Sequence, residues 1–146
     1  MAIRMSTGLK NQLLFNHGLI PSLEYGGIYV YSGAQPASAN DTASGSLLAT
    51  VTADGLSWTA GSNTGGLRLV AIPSLSYAIK PQSQAWVMKV ASSGTAGWWR
   101  FRSNAFSDVR MDGAITDPLS ELFIGSTTLT AGEERFIERF QISFYW

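Results

Sequence analysis

The chain has no cysteine, a single histidine and little charge: ten basic and ten acidic residues, together 14% of 146. Each shortage removes a class of chemistry. Without cysteine there is no disulfide, no thiolate nucleophile and no thiolate metal site. A lone histidine, His17, removes most catalytic triads, and with no cysteine beside it leaves only carboxylates as metal ligands. Its place next to Gly18 suits a cap on the last carbonyls of a helix. The charge fraction falls well short of the ~25% usual in soluble domains, and the two signs cancel. Nucleic-acid binding draws on a net basic field, so direct contact with nucleic acid is not expected. No apolar run approaches the ~18 residues of a membrane span, so no membrane contact is expected either. The opening "MAIRMSTGLKNQLLF" lacks an uninterrupted apolar stretch and a small-residue cleavage site, which argues for synthesis in the cytosol and against use of the sequon Asn40-Asp41-Thr42.

What is present is apolar and aromatic. Hydrophobic residues make up 45%, with five Trp, five Tyr and seven Phe. A chain of this length fits one domain and buries roughly 70% of its unfolded surface. A poorly charged surface carrying so many aromatics is expected to be covered in part by other chains.

Periodicity assigns the elements. Ser6 or Thr7 can cap a helix whose stripe is Leu9, Leu13 and Leu14, with Gly18 ending it. Ten or so residues do not hold a helix in water alone, so the leucines must dock. The five residues before it, Met1 to Met5, either reach a neighbouring subunit or fold back on their own domain. After Pro21 the pattern turns to strands. "GIYVYS" is closed by the long small-polar loop "GAQPASANDTASG". "SLLATVT" and "LSWTA" flank Asp54-Gly55, a hairpin signal, and "LRLVAI" ends at Pro73. "AWVMKV", "WWRFR", "DVRMDGAI", "ELFIG" and "RFIERFQISFYW" follow at short intervals. About eight strands with regular turn signals predict an all-β fold, an antiparallel sandwich of jelly-roll type. The division is 1–20 for arm and helix and 21–146 for the sandwich, in one domain. In the last segment Phe136, Phe140, Ile142, Phe144 and Trp146 share one parity, broken at Glu138 and Ile137, where a bulge is expected.

Alternation also splits "WWRFR". Trp99 and Phe101 share a face with Val109, Met111 and Ile115 of the next strand, and these are expected in the core. Trp98, Arg100 and Arg102 share the other face with Arg110 and Asp112. Two readings of that face stay open: Arg100 stacks on Trp98 to cover the sheet, or the Trp and arginines form an interface. Tyr29 and Tyr31 share a parity opposite Ile28 and Val30, and serve either packing or an aromatic platform for sugar. Asp108, Asp112 and Asp117 are close in sequence but lack a calcium loop, and Asp112 and Asp117 read as turn residues beside Gly113 and Pro118. "GSNTGG" has Leu67 where a phosphate loop needs lysine, so it reads as a plain loop. A glycan hydrolase would need two facing carboxylates, and nothing in the spacing pairs them.

Four stretches together carry a resemblance: "STGLKNQLL" at 6–14, "GGIYVYSGAQPASANDTASGSLLATVT" at 26–52, "GTAGWWRFRS" at 94–103 and "DVRMDGAI" at 108–115. In this order they resemble a family of small proteins encoded among the structural genes of tailed bacteriophages, in which a helix precedes an "IYSG-x-QP" strand and turn, a "GTLLAT" strand, an "aGW-aromatic-R" strand and a "DG" strand. This chain departs from the pattern in its ending, "ISFYW", where relatives are more polar. The resemblance implies a virion component without enzymatic activity or cofactor, made in the host cytoplasm. The expected role is a head decoration (cement) protein on the outer surface of the phage head, with the major capsid protein and further copies of itself, as dimer or trimer, for partners. The alternative is a tail- or fibre-associated module binding host surface glycan. The expected interface residues are Trp98, Arg100, Arg102, Tyr29, Tyr31 and Trp146.

Overall fold

The computed structural model describes residues 3–115 and 120–143. Trp146 and the turn at Asp117-Pro118 lie outside the described residues. Twelve strands occur among them: β1 (Arg4–Met5), β2 (Gly27–Ser32), β3 (Leu47–Ala53), β4 (Val70–Ile72), β5 (Tyr77–Ile79), β6 (Trp86–Val90), β7 (Gly94–Arg102), β8 (Arg110–Ala114), β9 (Leu122–Phe123), β10 (Thr128–Leu129), β11 (Glu134–Ile137) and β12 (Arg139–Ser143). Two short helices, α1 (Thr7–Asn11) and α2 (Leu19–Leu23), precede the main strands. The larger sheet runs β1-β8-β7-β2-β3-β6-β11, with β10 attached to β7, and the smaller runs β4-β5-β12-β9. All pairings are antiparallel. The chain is an all-β sandwich, an order that establishes the two layers but not a jelly-roll winding.

The core lies between the sheets and is aromatic. Phe140 of the smaller sheet sits among three rings of the larger one, with centroids 5.4 Å from Trp86, 5.3 Å from Trp99 and 5.9 Å from Phe101. All four are essentially inaccessible. The cross-strand register explains why. Phe101 lies opposite Met111 and Trp99 opposite Gly113, so one parity of β7 and β8 faces inward as the alternation requires. Gly113 has no room for a side chain, since a Cβ there would fall 2.4 Å from the Trp99 indole. The glycine of "MDG" is the recess into which Trp99 fits.

Three expectations are corrected. The helix is not one piece. Ser6 caps α1 as expected, accepting from the Leu9 amide at 3.2 Å, and Leu9 is fully buried. Gln12–Asn16 then widen into a π-helical turn, which leaves Leu14 and Phe15 exposed, and Gly18 starts a second helix rather than ending the first. That helix runs through Pro21, which is tolerated because it lies in the first turn. Asp54-Gly55 does turn, with φ of +54° and +68°, but "LSWTA" does not return as a strand. It crosses the sheet's outer face instead, and β3 pairs with β2 and β6. The parity break at Glu138 is a change of sheet. Ile137 faces the core from β11, Glu138 is the corner, and Phe140 and Ile142 resume from β12, which leaves Phe136 on the outer face at 75% exposure. Ile3 to Met5 fold back on their own domain, where Arg4 and Met5 pair with Asp112 and Met111.

Candidate interaction surfaces

The outer face of the larger sheet carries the residues expected at an interface. β7 places Trp98, Arg100 and Arg102 on it, and β2 and β8 bring Tyr31, Tyr29 and Asp112 alongside. Arg100 donates two parallel hydrogen bonds to Asp112, Nε to Oδ1 at 2.7 Å and Nη2 to Oδ2 at 2.8 Å. Both residues are buried, so each charge depends on the other. Asp112 is thus a strand residue answering an arginine, not the turn residue expected. The guanidinium of Arg100 also lies over the Trp98 ring, 5.2 Å from its centroid, and Tyr31 stacks on the same indole at 4.6 Å and 14°. Burial raises the Tyr31 phenol above its ordinary pKa. Arg102 sits over the Tyr29 ring at 5.8 Å.

This layer is covered by the chain itself. The loop between β2 and β3 folds down on it, and the Trp98 indole donates to the Ser44 carbonyl at 3.2 Å. Arg4 donates to the Pro36 carbonyl and Arg110 to the Asn40 carbonyl at 3.1 Å. Asn40 accepts from the Thr7 amide at 2.8 Å, which ties the loop to the start of α1. Gly97 is the contact that lets the loop approach, because a Cβ there would overlap the Gly33 carbonyl. Trp98 is therefore as buried as Trp99. The reading in which Arg100 stacks on Trp98 to cover the sheet describes the geometry. The face was assigned correctly, but its cover is a loop of small residues rather than another chain, so Trp98 and Arg100 are not open to a partner. Arg102, Tyr29 and Tyr31 remain half-buried at its margin.

Apolar surface is open elsewhere, at the flank where α2 meets the edge of the smaller sheet. A trough of about 490 Å³ runs there. Its lining includes the small pair Ala71 and Ala78, opposite each other across β4 and β5, and the larger Ile20, Pro21, Ile72 and Tyr77. β4 ends its sheet, and Val70 and Leu75 beside it are exposed. The spacing of "LRLVAIPSLSYAI" held no period that marks this flank. Its one legible signal was the crowding of Pro21 and Pro73 with apolar neighbours.

His17 is exposed and its backbone amide closes the π-helical turn on Gln12 at 2.7 Å. Among the described residues no three of His, Asp and Glu gather as metal ligands. Asp112 faces an arginine rather than a second carboxylate. No family model matches the sequence, and no curated protein and no solved structure shows detectable similarity to it.

Proposed function

We propose that the chain is a structural component of a tailed-phage particle, a decoration subunit that binds the major capsid protein on the outside of the head and bridges neighbouring capsomers. The observation that carries this reading is the open apolar flank on a sandwich whose Trp98–Arg100 patch is covered by its own loop. A trough of about 490 Å³ beside β4, an edge strand among the described residues, offers two modes of contact to one partner: apolar side chains enter the trough, and a strand adds to β4. The near-absence of net charge suits a partner recognised by shape and apolar contact rather than by phosphate. The sequence resemblance to phage structural proteins supplies the particle.

The mechanism is mechanical. Each subunit contributes a modest interface, and repetition over a symmetric shell raises the effective concentration of every neighbouring contact. Added contacts between capsomers oppose outward pressure from packaged DNA. The test is to locate and count the chain on intact particles of the phage that encodes it. Immunogold labelling spread over the head, with many copies per particle and heads that burst sooner when the chain is deleted, is the expected result. A few copies confined to the tail would overturn it.

A further inference from the structure

A second site lies on the outer face, away from the trough. The segment that follows Asp54-Gly55 arches over β2 and β3 and encloses a cleft of about 220 Å³. Trp58 forms one wall. Its ring lies on the backbone of Gly27, where a Cβ would fall 2.7 Å from the indole, and its indole N–H donates to the Tyr25 carbonyl at 2.7 Å. Tyr29 meets it edge to face at 6.2 Å and 65°. Thr50 and Thr52 of β3 lie on the same side of the sheet as Tyr29, since Thr50 is opposite both Tyr29 and Lys89 in the register. Lys89 lines the far end, where its ammonium pairs with Glu134 at 3.6 Å.

The polar groups of this cleft are open to solvent. The hydroxyls of Tyr29, Thr50 and Thr52 have no hydrogen-bond partner among the described residues, while the backbone of their strands is fully engaged in pairing. Hydroxyl-bearing residues lining a cleft beside a held aromatic ring suit a ligand that is itself rich in hydroxyls and has an apolar C–H face. That is the chemistry of a pyranose: the C–H face packs on the aromatic wall and the equatorial hydroxyls exchange hydrogen bonds with the threonines. The volume is below the roughly 300–1,000 Å³ of drug-sized sites, so the cleft takes one sugar unit and not an extended chain. Lys89 is loosely held by an exposed carboxylate, an interaction worth little, and can turn to a ring substituent.

We propose that the cleft bounded by Trp58, Tyr29, Thr50, Thr52 and Lys89 binds a single pyranose unit of a saccharide. Of the two roles open to Tyr29 and Tyr31, packing describes Tyr31, which stacks on Trp98, while Tyr29 shares its cleft with Trp58, which the sequence had placed in a strand. The site does not depend on the docking trough or on head attachment.

The experiment is saturation-transfer NMR on the full chain with methyl glycosides of glucose, galactose, N-acetylglucosamine and glucuronic acid at millimolar concentration. Transfer from the protein to at least one of them is expected, strongest to ring protons on one face. The double variant Thr50→Val/Thr52→Val keeps the β-branched shape and removes both hydroxyls. Each lost hydrogen bond weakens binding roughly three- to tenfold, so the pair should weaken it by at least about tenfold with an unchanged melting curve. Trp58→Ala should abolish transfer, and the threonine variant covers the case in which that substitution disturbs the loop. Transfer to the glucuronide alone, lost in Lys89→Met, assigns an acidic sugar; transfer unaffected by Lys89→Met assigns a neutral one. No transfer to any of the four, or binding that the threonine variant leaves intact, overturns the site.

Discussion

Two faces of this sandwich are rich in apolar or aromatic side chains, and they are treated in opposite ways. On the outer face of the larger sheet, Trp98 is enclosed by Tyr31, Arg100 and the β2–β3 loop, and the buried Arg100 is answered by Asp112. On the α2 flank, Ile20, Ile72 and Tyr77 line an apolar trough beside the edge strand β4, with Leu75 exposed nearby. The first face has an aromatic–arginine composition that usually marks an interface, yet it is spent on holding the chain together. The second has an unremarkable sequence and is left open. Composition identifies what a surface is made of; only the fold says whether the chain has already covered it.

Substitutions separate the two faces, the largest effects falling on the sealed one. Trp98→Ala empties a fully buried site and should cost about 3–5 kcal/mol, read as a lower denaturation midpoint with an unchanged slope. Asp112→Ala strands the Arg100 guanidinium without its carboxylate and should cost about the same, 3–5 kcal/mol. The double variant with Arg100→Met should recover part of that loss, which a simple packing defect would not. Gly113→Ala forces a methyl into the Trp99 indole and should cost about 1–3 kcal/mol. It should also disturb the near-ultraviolet signal of the core tryptophans. By contrast, Leu75→Asp changes an exposed side chain and should stay within about 0.5 kcal/mol in isolation, while abolishing attachment to phage heads in a pull-down. A Trp98 variant that folds normally and loses attachment would reverse the assignment of the faces.

The smallest effect is a dependence on pH. Burial raises the Glu121 carboxyl above the ordinary carboxylate value, and its Oε2 has no hydrogen-bond partner among the described residues. The folded chain therefore keeps a proton that the unfolded chain has already released at the same pH. Glu121 opposes folding when charged, and its penalty fades as pH falls through its folded pKa. Glu121→Gln should raise stability slightly at neutral pH and flatten the stability profile on the acid side. A melting series across that range measures it.

Much of the fold was legible because its strongest signal is local. Parity along "WWRFR" and "DVRMDGAI" assigned the inward faces of β7 and β8, and Trp99, Phe101, Val109 and Met111 are all in the core. Ser6 was legible as a cap because capping depends on three neighbouring residues. Features that depend on distant contacts were not. The sheet change at Glu138 looks like a bulge in sequence, since both break a period of two. The segment "LSWTA" has strand composition, but Trp58 finds its place over Gly27 and beneath it no partner strand is free. The β2–β3 loop is rich in small polar residues, as flexible linkers are, and its order comes from Arg4, Thr7, Trp98 and Arg110, brought in from three other parts of the chain. The α2 flank left no pattern because its residues come from two segments about fifty positions apart.

The central claim is that partners meet the α2 flank and not the tryptophan–arginine face. Amide hydrogen exchange on the free chain, compared with the chain bound to phage heads, tests it directly. Slower exchange on binding at residues 18–21 and 70–78, with residues 96–102 unchanged, is the predicted result. Protection gained at 33–46 and 96–102, with the flank exchanging as freely as before, would contradict it.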